Sequence, residues 1–180
     1  MDVQGADDDE ALIRRAVDED QDAYRQLYEK YKDRVFTTIQ RIVGIHEEAV
    51  DVTQDVFIKV YRDLSSFQFK SKFSTWLYRI AVNFSINKVN ERDRHGRAER
   101  KLAYDSQPSE SPADLPTERL HRAIKELNPK LRTAVALRYL QDLSYEEIAE
   151  VLDLSIGTVK SRLHLAHEAL RDTLKDLLKE

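Results

Sequence analysis

Asn83, Asn87 and Asn90 are spaced by four and three residues, so a helix would carry them on one flank with Trp76, and Arg94 would extend that row. Asparagine forms helices poorly, because its amide competes for nearby backbone groups. Three on one flank is a local cost that points to a task, and a side-chain amide can both donate to and accept from a base edge. Just upstream, Phe67, Phe69, Lys70 and Lys72 fall in the run SSFQFKSK, with Ser66 in the same loop. Aromatic rings and cations on an irregular loop suit an unstacked base and its phosphate backbone. The segment reads as a grip for single-stranded DNA, with Asn83 and Asn87 contacting bases. Phe73, Trp76 and Phe84 are expected in the core, and Phe67 or Phe69 could instead plug the end of a bundle.

A second constellation lies at 144–163, SYEEIAEVLDLSIGTVKSRL. Ser144 and Glu147 have the spacing of a capping box, and the DLS at 153–155 is short enough only for an abrupt corner. The next helix would bury Val159, Leu163, Ala166 and Leu170. Its opposite face would present Gly157, Ser161, His164 and Leu165, flanked by Thr158 and Lys160. That is a helix-turn-helix whose second helix enters a major groove, with Gly157 leaving the helix start clear for a phosphate. A third face, on the helix predicted over 46–64, carries Asp51, Gln54, Asp55, Ile58 and Arg62. One apolar residue among exposed polar ones hints at a docking surface.

Catalytic and metal chemistry find little support. His164 with His167, and Glu118 with His121, have ligand-like spacing, but a di-metal bundle needs matching pairs from facing helices. No nucleophile–base pair, phosphate-binding glycine loop or thiol is evident. No cofactor, no metal and no small-molecule substrate are expected, and the chain is not expected to be an enzyme.

The elements that would position these residues are helices. The 180 residues include only four glycines and four prolines, and 34% are charged, a composition typical of all-α proteins. Periodicity and caps predict helices over about 9–17, 20–43, 46–64 and 73–93, then four more from 117 to about 178. Within the fourth, Phe73, Leu77, Ile80 and Phe84 form the expected core stripe. Gly44 stands where a helix C-cap would be, Asn128–Pro129 reads as N-cap and first turn, and Thr117 and Ser155 read as further caps. Pro108, Pro112 and Pro116 fall in DSQPSESPADLP, an extended and flexible linker. The expected organisation is an acidic disordered tail at 1–8, a helical domain at 9–95, a linker at 96–116 and a helix-turn-helix domain at 117–180.

Net charge is −4, which argues against a protein that coats DNA unaided. The charge is segregated. Residues 1–20 hold eight acids and two bases, whereas 88–101 hold six bases and three acids. Acidic and basic partners can thus be served at different places. The absence of cysteine fits a reducing cytoplasm, and no apolar run suggests a signal peptide, an anchor or membrane insertion.

DVTQDVFIKVY (51–61), FSTWLYRIAVN (73–83) and LSYEEIAEVLDLSIGTVKSRL (143–163) follow one another in an order and spacing that resemble a bacterial sigma factor of the extracytoplasmic-function group of the sigma-70 family. The resemblance implies a two-domain subunit, with regions two and four of that family, that directs core RNA polymerase to promoters and assists melting. By position it implies that Asp51, Gln54, Asp55 and Ile58 dock on the clamp helices of the polymerase beta-prime subunit. It implies that the loop 66–72 and Asn83 capture a flipped base of the minus-ten element. Lys160, Ser161, Arg162, His164 and Leu165 would read the minus-thirty-five element. Members often carry arginine or another polar group where Leu165 stands. The beta subunit and an anti-sigma factor are further implied partners. A stand-alone helix-turn-helix regulator with a helical sensor domain is the competing reading. It accounts for 117–180 but not for the asparagine-and-aromatic segment.

Overall fold

The computed structural model describes residues 3–100, 116–173 and 175, and every regular element among them is helical. Four helices form the N-terminal part: α1 (Val3–Val17), α2 (Gln21–Val43), α3 (His46–Asp63) and α4 (Phe73–Arg100). Four more follow: α5 (Pro116–Glu126), α6 (Pro129–Leu140), α7 (Tyr145–Leu152) and α8 (Ile156–Thr173).

The ends of these helices follow from local chemistry. Asp20 accepts from the Ala23 amide at 3.1 Å and opens α2, while Gly44, at φ 82°, closes it in the left-handed region that glycine enters without a Cβ penalty. Asn128 accepts from the Lys130 amide at 3.0 Å, with Pro129 beginning α6. The capping box of α7 is complete: the Glu147 amide donates to Ser144 Oγ at 3.1 Å, and the Ser144 amide donates to Glu147 Oε2 at 2.8 Å.

Three expected boundaries are corrected. α1 begins at Val3, so residues 3–8, expected as a disordered tail, are helical. α4 continues to Arg100, beyond the end near 93 that its periodicity predicts. α5 opens at Pro116, which places Thr117 inside the helix instead of at its cap. The expected linker between 101 and 115, and the end of the last helix past 175, lie outside the described residues.

The first core layer packs α2 between α1, α3 and α4. Leu27, Val35, Ile39 and Ile42 of α2 meet Ala49, Val52, Val56 and Val60 of α3 and Leu77 and Ala81 of α4, all nearly inaccessible to solvent. The expected α4 stripe is corrected in part. Phe73 and Leu77 are buried, but Ile80, Phe84 and Trp76 are only partly so, and Tyr78, Ala81, Val82 and Ser85 are buried in addition. α4 meets α2 and α3 on one side and α7 on another, so its buried surface is wider than one stripe. The second layer joins Leu137, Ile148, Val151, Val159, Leu163 and Ala166 of α6, α7 and α8.

The two parts touch along α2 with α6 and α4 with α7. Gln141, just past α6 and 5% exposed, sits at the centre of this contact. Its Oε1 accepts from Arg34 Nε at 3.0 Å and from the Tyr78 hydroxyl, and its Nε2 donates to Thr38 Oγ1 at 2.8 Å and to the Arg34 carbonyl at 3.2 Å. All four hydrogen-bonding positions of the amide are thereby filled. Each such bond contributes about 1 kcal/mol net, and stranding a buried partner costs about 1–3 kcal/mol. Arg132, buried, donates to the Ile42 carbonyl at 2.7 Å and to the Lys125 carbonyl at 2.5 Å. It thus caps the C-terminal end of α2, where the helix dipole favours a cation, although burial lowers its pKa. Lys72 pairs with Glu147 at 2.7 Å, and Arg79 donates to the Glu150 carbonyl at 2.8 Å.

Candidate nucleic-acid interface

The chain leaves α3 through a single 3₁₀ turn at Leu64–Ser66, where the Phe67 amide donates to the Leu64 carbonyl at 3.1 Å. Ser66 donates its hydroxyl to the Asp63 carbonyl at 2.6 Å, so it braces the turn. The next residues separate by environment. Phe67 is 8% exposed and packs on Phe73 at 5.8 Å and Trp76 at 5.3 Å, which makes it the plug of the bundle end. Phe69 is 39% exposed, sits at φ 55°, and carries the Arg14 guanidinium 4.7 Å above its ring. Of the two loop aromatics, Phe69 is the more exposed, and its ring also packs against Phe67 at 4.9 Å. Lys70 and Lys72 are exposed beside it.

These residues edge a cavity of about 740 Å³. Its floor includes Lys30, Tyr31 and Arg34 of α2, which sequence reasoning did not assign to the site. Their one signal was a pair of cations flanking a core-stripe tyrosine, a pattern any amphipathic helix can show. Burial and the adjacent Asp9 carboxylate raise the Tyr31 phenol well above its usual range. Asp9, itself buried, accepts from Tyr31 and pairs with Lys30 at 2.6 Å. This internal pairing ties α1 to α2.

The asparagine row stands apart from that cavity. Asn83, Asn87 and Asn90 are exposed along α4. Asn83 is ten residues beyond Phe73, about 15 Å along the axis at 1.5 Å per residue. Trp76 joins the two features, since it lies on the asparagine flank and packs against Phe67. The result is an aromatic pocket lined by cations and acids alike, with a separate row of exposed amides along α4.

The helix-turn-helix has a tight corner. Asp153 is at φ 51°, and the Leu154 amide returns to the Ala149 carbonyl at 2.9 Å. Ser155 Oγ accepts from the Thr158 amide at 3.2 Å and lies 2.9 Å from the Thr158 hydroxyl. Val159, Leu163 and Ala166 face the core, and Gly157, Lys160, Ser161, His164 and Leu165 face outward. Thr158 and Arg162 are half-buried, with Thr158 engaged in the cap. A Cβ added at Gly157 would meet only Ser155 Oγ, at 3.8 Å, so no packing demands a glycine there. Leu165 is 50% exposed, an apolar group on an otherwise polar face. His164 lies 3.6 Å from Glu168.

On α3, Asp51, Gln54, Asp55 and Ile58 all face solvent, and neither carboxylate has an ion-pair partner among the described residues. Ile58 is 51% exposed and Tyr61 is 54% exposed, so the apolar part of this face is larger than one residue. Tyr61 was not foreseen. It meets Tyr24 edge-on at 4.8 Å, which fixes its ring. Among the described residues, no group of three or more histidine, cysteine or acidic side chains is arranged to hold a metal ion.

Comparison with known proteins agrees with this layout. Residues 27–95 match the family described as Sigma-70 region 2, and residues 117–170 match Sigma-70, region 4. The chain is 34% identical to the ECF RNA polymerase sigma factor SigW of Bacillus subtilis, over 93% of this chain and all of that one. It is 38% identical to the RNA polymerase sigma-H factor of Pseudomonas aeruginosa, over 96% of each. It is 36% identical to the ECF RNA polymerase sigma-E factor of Escherichia coli, over 95% of this chain and 96% of that one. Two solved structures share the fold at 24% identity. CnrH, in complex with the cytosolic domain of CnrY, has a TM-score of 0.73 and covers 94% of this chain and 98% of its own. The sigma factor RpoE of Bartonella quintana, in complex with the anti-sigma factor NepR, has a TM-score of 0.70 and covers 84% and 96%.

Proposed function

Because this chain belongs to the sigma-70 family, in its extracytoplasmic-function group, we propose that it gives core RNA polymerase its promoter specificity through the three faces described above. It functions as a sigma factor in transcription initiation, with core polymerase and promoter DNA as its partners. The observation that carries this reading is that both family regions lie on one chain, in order, in relatives that match along nearly their whole length.

The finer assignments come from the resemblance by position, and the exposure of these residues supports them. The exposed α3 face of Asp51, Gln54, Asp55 and Ile58 docks on the beta-prime clamp helices, with Tyr61 extending its apolar part. The loop 66–72, with Phe69 as stacking ring and Lys70 and Lys72 as phosphate contacts, receives a base of the minus-ten element. Ser66 and Phe67 shape this loop, and Asn83 and Asn87 contact the parted strand. Lys160, Ser161, Arg162, His164 and Leu165 enter the major groove of the minus-thirty-five element. Gly157 admits a phosphate at the start of α8, and Thr158 holds that end rigid. An anti-sigma factor is a further partner. The protein acts in the cytoplasm and carries no catalysis of its own. No helix among the described residues is long and apolar enough to cross a membrane.

Energetics make it a dependent factor. Extruding a base costs a few kcal/mol and one stacked base returns about 1–3 kcal/mol, so melting needs the contacts that polymerase adds. Run-off transcription with purified core enzyme tests the reading. A promoter-dependent transcript is expected only when core and this protein are both present. Tight sequence-specific duplex binding by the free protein, with no effect on core, would favour the stand-alone regulator.

A further inference from the structure

The rings beside the 66–72 loop form a column that runs outward from the core. Phe73 meets Trp76 at 5.8 Å, Trp76 meets Phe67 at 5.3 Å, and Phe67 meets Phe69 at 4.9 Å. The outer end of the column is a guanidinium, because Arg14 Cζ lies 4.7 Å from the Phe69 centroid. Arg14 Nε and Nη2 donate to Glu10 Oε1 at 3.0 and 2.6 Å, so the plane is held from one edge. The helix that carries Arg14 is anchored: Ile13 is buried, and Asp9 pairs with Lys30 and accepts from Tyr31. Asp9, Glu10 and Ile13 line the same cavity as the loop. Phe69 itself sits at φ 55°, a conformation that a bulky side chain adopts only where its surroundings hold it. α1 lies outside both matched family regions, which begin at residues 27 and 117.

We propose that Arg14 is a base-contacting residue of the minus-ten site: an unpaired nucleobase enters between the Phe69 ring and the Arg14 guanidinium, with the ring on one face and the cation on the other. The proposal rests on the assignment of the loop to the minus-ten strand. A guanidinium plane stacks on a base as an aromatic ring does, and it adds hydrogen-bond donors beside the base edge. Two stacked contacts of about 3.5 Å each need about 7 Å, so the guanidinium must lift from its 4.7 Å position. The side chain is free to do so. Arg14 is 63% exposed, and its tie to Glu10 is a surface i,i+4 pair, which holds weakly.

Stacking makes a demand that other roles for Arg14 do not. A solvated ion pair with Glu10 would have no effect on DNA. A phosphate contact would need charge alone, and lysine would supply it as well as arginine. A group that covers a base needs the plane, and its effect vanishes when the base is missing.

The test titrates holoenzyme with a fluorescent promoter fragment that carries a pre-melted minus-ten bubble, and anisotropy reads the affinity. In a companion set, each base of the minus-ten element is replaced in turn by an abasic site, which keeps the phosphates. For the parent, one abasic position is expected to weaken binding roughly tenfold, the loss of one stacked base. Arg14→Ala should weaken binding to the intact bubble by roughly fivefold and lose little more at that abasic position. Arg14→Lys should recover only a small part of the loss. Parent affinity in Arg14→Ala would overturn the proposal. So would full recovery in Arg14→Lys, or equal losses from Arg14→Ala on intact and abasic bubbles, since these mark a charge effect or a structural one. Should Arg14→Ala lose its helical circular dichroism, Arg14→Lys is read in the same way across the intact and abasic templates. Phe69→Ala and Lys70→Ala on these templates separate the two readings. If Phe69→Ala loses its dependence on the abasic position while the Arg14 variants keep theirs, the loop assignment stands and Arg14 alone leaves the site. If neither loop variant weakens binding, the minus-ten assignment of the loop fails, and the role of Arg14 fails with it.

Discussion

In the proposed reading, two side chains separate duplex reading from strand capture. Lys160 is exposed on the outer face of α8, one residue past the buried Val159. Lys160→Ala in the holoenzyme should weaken binding to the upstream element and lower the salt slope by about one unit, measured as affinity against salt concentration. Asn83 is exposed on α4, and in the proposed reading its amide acts only on a base that has left the stack. Asn83→Ala should leave closed-duplex binding nearly intact and reduce open complexes, with partial rescue on a pre-melted bubble. Permanganate footprinting on matched templates reads this directly. Normal opening with an unchanged minus-ten base preference would make Asn83 a structural residue. The tyrosines respond to base. Burial pushes the phenols of Tyr24 and Tyr78 up to about 12. Their folded-state values lie above the ordinary value of about 10, so their contribution to stability is complete below that pH and is lost as pH rises through the folded values. Denaturant midpoints should therefore fall between about pH 10 and 12. The fall should be smaller in Tyr78→Phe, which also loses its bond to Gln141 at neutral pH.

At the scale of elements, α3 has one buried face and one exposed face, the latter proposed for a partner. Val52, Val56 and Val60 are buried at four-residue spacing, and Asp51, Asp55 and Ile58 occupy the opposite side. Charge complementarity on such a face chiefly sets encounter rate and register. Asp55→Arg with Ile58→Glu should weaken core-polymerase binding by at least tenfold while leaving thermal unfolding within a few degrees of the parent, because neither side chain reaches the core. Titration of labelled protein with core enzyme measures the first and circular dichroism the second. Unchanged core affinity would remove α3 from the docking surface. The α4 helix shows why one element serves two purposes. Tyr78, Ala81 and Ser85 are buried, while Asn83 and Asn87 remain in solvent. The flank that could reach DNA is thus mechanically tied to the core.

At the scale of the molecule, the two helical parts share one apolar cluster and are cross-tied by buried polar groups such as Gln141 and Arg132. Asp51 and Ile58 on α3, and Lys160 and His164 on α8, face solvent, whereas Lys72 is engaged by Glu147. The sequence by itself determined the presence of the helices, several of their caps and the family. The Asn128–Pro129 start, the Ser144–Glu147 box and the Gly44 stop act within four residues, a range over which backbone hydrogen bonding is local and spacing is sufficient. It also determined which side chains stand outside on α3 and α8, since helical periodicity separates the two faces. Where one helix packs on several neighbours, that logic gave out: the α4 stripe omitted Tyr78, Ala81 and Val82 because more than one side is covered. Only the tertiary structure decided that Gln141 is a buried hub, that Lys30 and Arg34 share a cavity with the loop, and that Lys72 faces Glu147. Those partners lie far apart along the chain, and a cation on a helix or a glutamine in a short connection has the same local signature whether it ends in water or against another domain.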